Sequence, residues 1–256
     1  MCKLILVLIS IASIRANGST ILKVVNGEFP PYVSKDMKHH GLFSHIVQKI
    51  FEDTDIKLDI SYMPWSRAYN KVKNGEADIS YTWAKNKKRS QEVDFSAPIT
   101  VNFKHFFYRE DTEFHWSSFN DLKGYNIGLT KDYIYGELDK YKGVKGFKFA
   151  EISSDKQKLK MLYAKRIDIT PIDIEVGYYL ANQVSNLGKK YKNLSIKHHK
   201  KPVFITRFRI IINKKLNQKL KHRIKALIKK RIKEIKLSGE YDKMFWELRR
   251  GAYEKE

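Results

Sequence analysis

The feature of this sequence that most constrains its fold is an alternation of strand-like and helix-like segments that runs through the chain twice. In the first run, apolar segments typical of strands lie at residues 21–26, 58–62, 77–83 and 93–98. Between them, apolar residues recur at helical spacing over residues 42–51 and 66–73. Strands that alternate with helices indicate an α/β architecture with largely parallel sheets.

The second run begins at Gly124 and repeats this order of elements. Strands are predicted at residues 126–130, 147–152 and 167–172. Helices are predicted near residues 133–141 and over residues 156–164 and 174–183. The chain ends with a predicted strand at 203–213, a long basic helix at 216–235 and an amphipathic segment at 241–248. The lysine-rich stretch before residue 93 is predicted to be a loop. We therefore expect two α/β units.

The N-terminus has the layout of a secretory signal peptide, which we assign to residues 1–18. Lys3 precedes an apolar stretch, and the small residues Ala16 and Gly18 follow it. The stretch is too short for a permanent membrane-spanning helix, so a retained anchor is the less favoured alternative. Cys2 precedes the apolar stretch, so the mature chain has no cysteine and no disulfide or thiolate chemistry. We expect a periplasmic protein without stable membrane insertion.

The formal net charge of +22 raises the question of nucleic-acid binding. The lysines are spread along the whole chain, and an exported protein rarely meets intracellular nucleic acid. We therefore interpret the excess as a solvated basic surface and expect no nucleic-acid partner. Attraction to anionic lipid or envelope polymers is a secondary possibility.

The most specific motif extends from Gly75 to Pro98. It reads Gly-Glu-Ala-Asp-Ile-Ser-Tyr-Thr-Trp, then a short polar stretch with Arg89, then Val-Asp-Phe-Ser-Ala-Pro. In this order and spacing the chain resembles family 3 of the bacterial extracellular solute-binding proteins, over essentially all of residues 21–248. Pro30-Pro31-Tyr32, the acidic Asp173 and the terminal Ser238-Gly239-Glu240-Tyr241 agree with the same pattern.

The resemblance implies the two-lobed, type II fold of periplasmic binding proteins. Each lobe is expected to be a mixed, mostly parallel sheet flanked by helices, with the ligand cleft between the lobes. Residues 19–104 and 202–256 would form lobe 1, and residues 105–201 would form lobe 2. The chain would cross between the lobes near residues 105 and 201.

The resemblance also implies binding residues for an amino-acid zwitterion. Arg89 occupies the position of the arginine that pairs with the ligand carboxylate, a role suited to a planar guanidinium. Thr82 and Ala84 fall where hydroxyl and backbone amide groups contact the same carboxylate. Asp173 falls where an acidic residue binds the ligand ammonium, and Glu175 is the alternative for this role. Without the motif, we would interpret Arg89 as a surface residue, and Asp173 and Glu175 as the acidic residues of an ordinary helix start.

Aromatic residues of such proteins hold the ligand side chain, and the candidates here are Phe29, Tyr32, Trp65 and Trp83. Each of them fits an ordinary core position equally well. Trp65 is favoured because it lies in a strand-to-helix loop, where α/β sheets bind ligands. Arg67 is a candidate second anionic contact or a partner in a salt bridge.

One departure from the family pattern follows Gly128. The family commonly has a Gly-Thr or Gly-Ser turn there, whereas this chain reads Leu129-Thr130-Lys131-Asp132-Tyr133. Thr130 or Tyr133 is the candidate polar contact from lobe 2, and this departure leaves the ligand open.

The function implied by the resemblance is capture of a small polar solute, an amino acid or related carboxylate, by cleft closure for an ABC-type transporter. The partner would be an inner-membrane permease, and the chain is expected to be a monomer. The alternatives are a ligand-sensing receptor without a transporter and a dehydratase-like enzyme on the same fold. We predict no catalytic residues and no cofactor, because the sequence has no Gly-x-Ser-x-Gly motif, no Gly-x-Gly-x-x-Gly motif and no phosphate loop. We predict no metal site, because the adjacent pairs His39-His40 and His198-His199 do not share a helix face.

Overall fold

A computed structural model describes residues 19–185 and 195–254. The predicted signal peptide lies outside these residues. The strands are β1 Thr20–Asn26, β2 Ile56–Tyr62, β3 Ile79–Ala84, β4 Asp94–Arg109, β5 Asn126–Thr130, β6 Lys148–Ile152, β7 Ile169–Asp173 and β8 Ile196–Ile212. The α-helices are α1 Leu42–Phe51, α2 Trp65–Asn74, α3 Lys87–Glu92, α4 Asp155–Tyr163, α5 Ile174–Ser185, α6 Gln218–Leu237 and α7 Glu240–Arg249.

The described strands form one mixed sheet in the order β2-β1-β3-β8-β4-β7-β5-β6. At one end, β1 pairs in parallel with β2 and β3. At the other end, β5 pairs in parallel with β6 and β7. The long strands β4 and β8 are antiparallel to each other and join the two ends. The predicted crossings near residues 105 and 201 fall within these two strands, and the lobe boundaries themselves stay a prediction.

Apart from the short polar helix α3, the helices pack against the sheet or a neighbouring helix. Helix α1 buries Phe43, Ile46, Val47 and Ile50, which share one face at helical spacing. Helix α6 buries Ile224, Ile228, Ile232 and Ile235 and exposes most of its cations. The long basic helix is therefore amphipathic, as the sequence predicts.

The structure differs from the sequence prediction at several elements. The strand predicted at 203–213 begins earlier, at Ile196, as strand β8. The lysine-rich stretch predicted to be a loop contains helix α3, because Asn86 caps it by accepting a hydrogen bond from the Arg89 amide at 2.7 Å. The predicted helix near residues 133–141 is a 3₁₀ helix, Gly136–Tyr141, that begins later. The strand predicted at 93–98 continues to Arg109, because pairing with β8 stabilises the extension.

Within the described residues, no helix has both the length and the apolar character needed to cross a membrane.

Candidate functional site

Over residues 101–104, strand β4 has an unusual pattern of burial, with polar residues inside and apolar residues outside. Asn102 and Lys104 are 5% and 8% exposed, whereas the intervening Phe103 is 48% exposed. Successive side chains of a strand point to opposite faces, so Asn102 and Lys104 share the inner face. A polar inner face in the strand that joins the two ends of the sheet marks the candidate site.

Asp173 ends strand β7 and lies on this face, where its carboxylate is already bound by protein groups. Asp173 Oδ1 accepts hydrogen bonds from the Tyr32 hydroxyl and from the Glu175 amide, the latter at 3.2 Å. Asp173 Oδ2 accepts from Asn102 Nδ2 at 2.8 Å. Burial, followed by the charge of Asp173, raises the pKa of the Tyr32 hydroxyl well above its ordinary value. Tyr32 therefore stays protonated and donates across the cleft.

Lys104 is the cation nearest to Asp173 in the described part of the chain. The two residues are direct partners on the antiparallel strands β4 and β7, so their side chains are neighbours on one face. Lys104 Nζ lies 3.9 Å from Asp173 Oδ2, and it lies 5.6 Å and 5.5 Å from the ring centres of Phe29 and Phe208. Burial lowers the pKa of the Lys104 ammonium, and the charge of Asp173 opposes that shift.

A second buried pair lies in the same region of the cleft. Lys158 Nζ is 2.8 Å from Asp155 Oδ1, and both residues lie in helix α4. The Thr130 hydroxyl donates to Asp155 Oδ1 at 2.6 Å. The pKa of Asp155 is lowered despite burial, because Lys158 and Thr130 stabilise its charged form. The hydroxyl of Thr130, the predicted polar contact from lobe 2, is thus already hydrogen-bonded to Asp155.

Arg89 lies in the first turn of helix α3. Its Nη1 donates to the Ala84 carbonyl at 3.0 Å, and its guanidinium lies 5.0 Å from the centre of the Trp83 ring. Burial lowers the pKa of Arg89, with Tyr69 and Asp132 opposing the shift. Among the described residues no carboxylate forms an ion pair with it. Arg89 is therefore a partly buried cation with free donors.

Thr82 has the backbone and side-chain features of a binding residue. Its φ of +74° is rare for a β-branched residue, and it lies at a register shift between Ser80 and Trp83. Its hydroxyl is buried and has no hydrogen-bond partner among the described residues. Backbone strain and an unpaired buried hydroxyl are both costly, and such costs are typically found at functional sites.

A pocket of about 230 Å³ opens beside Ala84, between strand β8 and the segment that follows β5. Its charged lining residues in the described chain are Lys85, Arg207 and Arg209. Since these are all cations, the pocket favours an anionic solute.

The four predicted aromatic residues have different environments. Phe29 lies 6.1 Å from Phe208 and close to Lys104, and Tyr32 stacks on Phe43 with ring centres 4.0 Å apart. Trp83 packs edge-on against Trp65 at 5.3 Å. Phe29 and Tyr32 thus lie beside Lys104 and Asp173, while Trp83 packs in an apolar cluster with Val25 and Ile211.

The Trp65 ring packs against Gly27, the residue that follows strand β1. Its Nε1 donates to the Glu28 carbonyl at 3.0 Å. A Cβ atom on Gly27 would lie 2.5 Å from the Trp65 ring, so glycine is required for this close approach. Arg67, in the first turn of α2, is exposed and forms no ion pair with any described residue.

The remaining candidate residues are Glu175 and Tyr133. Glu175 accepts hydrogen bonds from Arg249 Nε and Nη2 at 2.8 Å and 2.7 Å. This pairing occupies the carboxylate that was the alternative to Asp173. Tyr133 is 36% exposed, and its ring centre is 6.3 Å from that of Phe29. Within residues 19–185 and 195–254, no group of three or more histidine, cysteine or acidic residues is arranged to hold a metal ion.

Sequence reasoning missed Asn102, Lys104 and the Asp155–Lys158 pair. One signal could have found the first two: in the run Thr100-Val101-Asn102-Phe103-Lys104, polar and apolar residues alternate through a strand that must cross the protein. The Asp155–Lys158 pair has ordinary helical spacing, so nothing in the sequence distinguishes it from an exposed pair.

The family model for bacterial extracellular solute-binding proteins, family 3, matches residues 21–247. The chain belongs to this family. The match covers both ends of the sheet and every candidate residue described above.

Solved structures show that the fold is the two-lobed fold of periplasmic binding proteins. An amino-acid ABC transporter substrate-binding protein from Streptococcus pneumoniae, bound to L-arginine, is 19% identical with a TM-score of 0.69, over 93% of this chain and 97% of that one. A histidine kinase sensor domain similar to periplasmic binding proteins is 18% identical with a TM-score of 0.67, over 93% and 98%. An ancestral amino-acid-binding protein, a precursor of cyclohexadienyl dehydratase, is 18% identical with a TM-score of 0.66, over 89% and 94%.

Proposed function

We propose that this solute-binding protein captures a small carboxylate-bearing solute in the cleft between its lobes and passes it to an ABC permease from the periplasm. The observation that supports this best is Arg89, a partly buried guanidinium without an ion-pair partner among the described residues. Its Nη1 donates to the carbonyl of Ala84, and Thr82 of the same strand β3 has a buried hydroxyl without a hydrogen-bond partner among the described residues. A carboxylate accepts two parallel hydrogen bonds from a guanidinium, so both groups gain partners when ligand binds.

Binding would occur by closure of the lobes over the ligand. By the predicted boundaries, Tyr32 and Arg249 belong to lobe 1, and Asp173 and Glu175 belong to lobe 2. The Tyr32 hydroxyl donates to Asp173, and Arg249 pairs with Glu175. These contacts favour the closed arrangement, and a ligand that contacts both lobes adds to them. The predicted permease would then recognise the closed form.

The test is a thermal-shift screen of the mature protein against amino acids, hydroxy acids, keto acids and other small carboxylates. A ligand present at about 100 times its Kd stabilises the folded form by about 2.7 kcal/mol, which raises the Tm measurably. Arg89→Met should abolish the shift. The matched control is Arg250→Met, since Arg250 is exposed at the end of α7 and lies over Trp246. A shift that survives in Arg89→Met would contradict the proposed role of Arg89.

The alternatives of a sensor and an enzyme have separate readouts. Recovery of the bound ligand unchanged, with one equivalent per chain, supports binding without chemistry, and conversion of the ligand would identify an enzyme. Ligand-dependent stimulation of a permease reconstituted with this protein supports transport. A sensor without a transporter would bind the same ligand and stimulate no permease.

A further inference from the structure

The carboxylate of Asp173 has little capacity left for a ligand ammonium. A carboxylate offers about four acceptor positions. Three of them are used by the Tyr32 hydroxyl, the Glu175 amide and the Asn102 amide. Asp173 is also only 2% exposed. An ammonium group could bind only at the one remaining position, on Oδ2, where Lys104 Nζ already lies 3.9 Å away, or by displacing one of these donors.

Lys104 supplies the positive charge that a zwitterionic ligand would otherwise bring to Asp173. Its ammonium is 3.9 Å from Asp173 Oδ2, beyond direct hydrogen-bonding distance, and is flanked by the rings of Phe29 and Phe208. Lys104 therefore has donors available for a ligand. A second ammonium placed here would meet a like charge in a region of low dielectric, where such repulsion is strong.

The charges around the cleft leave a positive excess. Lys104 balances Asp173, and Lys158 balances Asp155. Arg89 has no ion-pair partner among the residues that the structure describes. Lys85, Arg207 and Arg209 of the neighbouring pocket add to this excess, which matches a ligand with negative charge and no positive charge. The Asn102 side chain adds an unpaired acceptor, because its Oδ1 is buried without a partner while its Nδ2 is bonded to Asp173.

We infer that the cleft selects a 2-oxygenated carboxylate, a 2-hydroxy or 2-keto acid, over the α-amino acid with the same side chain. The inference rests on the proposed function, since it concerns the same cleft. Arg89 binds the carboxylate, and Lys104 donates to the oxygen at the position where an amino acid has its ammonium. The hydroxyl of a 2-hydroxy acid can in addition donate to Asn102 Oδ1.

The experiment is isothermal titration calorimetry with matched pairs of ligands that differ only at this position. The pairs are L-leucine with L-2-hydroxyisocaproate, L-phenylalanine with L-3-phenyllactate and L-glutamate with L-2-hydroxyglutarate, together with the corresponding 2-keto acids. In the wild-type protein, the oxygenated member of the best pair should bind at least about tenfold more tightly than the amino acid. In Lys104→Met, which leaves Asp173 uncompensated, the preference should move by at least about tenfold toward the amino acid.

The outcomes separate this inference from the proposed function. An amino acid that binds wild type as tightly as its oxygenated partner overturns the inference and leaves carboxylate capture standing. A preference that is the same in wild type and Lys104→Met also overturns it, because Lys104 would then have no part in the choice. Absence of binding by every compound tested overturns the proposed function as well. The wild-type comparison is decisive without the variant, and a thermal melt establishes that Lys104→Met is folded.

Discussion

Replacing Asp155 with leucine tests the buried ion pair of helix α4, and the burial of the pair sets the size of the effect. Asp155 is 7% exposed and Lys158 is 1% exposed, with 2.8 Å between their charged atoms. Removing one partner leaves a buried cation without compensation, which costs about 3–5 kcal/mol. For a chain of this size the Tm should fall on the order of 10 °C. The Thr130 hydroxyl also loses its acceptor, which adds to the loss.

The double variant Asp155→Leu/Lys158→Met removes both charges and should recover most of the lost stability, since apolar replacement of a buried pair is often neutral. Urea unfolding of the four proteins in the cycle measures the coupling free energy, expected to exceed about 2 kcal/mol. The control is Glu137→Gln, which breaks an exposed pair of the same i,i+3 spacing with Lys140 and should cost less than about 1 kcal/mol. A double variant no more stable than Asp155→Leu would refute this account of the pair.

Three further predictions concern the binding cleft. Thr82→Gly should raise the free energy of unfolding by about 1 kcal/mol in urea titration, because it relieves a φ of +74° and removes an unpaired hydroxyl, while ligand affinity falls about tenfold. Gly27→Ala should displace Trp65, shift the tryptophan fluorescence and cost about 1–3 kcal/mol; an unchanged spectrum would contradict the close contact. Because burial lowers the pKa of Lys104, carboxylate affinity should weaken as pH rises at values below an ordinary lysine pKa. Calorimetry at a series of pH values measures this loss of affinity, which should be missing in Lys104→Met. Asp173, Asp155 and Lys158 face the same region and are still present in that variant, so the comparison isolates Lys104.

The order of the strands and helices could be predicted from the sequence because it depends on local periodicity. The predicted strand at residues 126–130 has the same bounds as β5, and the predicted helix at 42–51 has the same bounds as α1. Helix α3 was not predicted, since its six residues are all polar and the Asn86 cap is a weak signal on its own. The full lengths of β4 and β8 depend on pairing with each other, which local patterns do not encode.

The identity of the site residues could be predicted in part, but their partners could not. Arg89, Thr82 and Asp173 were named from the family motif, and their roles toward a ligand stay predictions. That Asp173 faces Lys104 depends on the register between β7 and β4, two strands far apart in the sequence. Pairing at such separation is a property of the assembled sheet. Only the structure therefore shows that protein groups already bind the Asp173 carboxylate.

The central claim is that the cleft binds a carboxylate through Arg89 and presents Lys104, not Asp173, to the other end of the ligand. The most direct measurement is a crystal structure of the protein with the tightest-binding compound from the calorimetric series. We predict a carboxylate bound by Arg89 at about 2.7–2.9 Å and a hydroxyl or keto oxygen at Lys104 Nζ. A ligand ammonium bonded to Asp173, with Tyr32 or Asn102 displaced, would contradict the account.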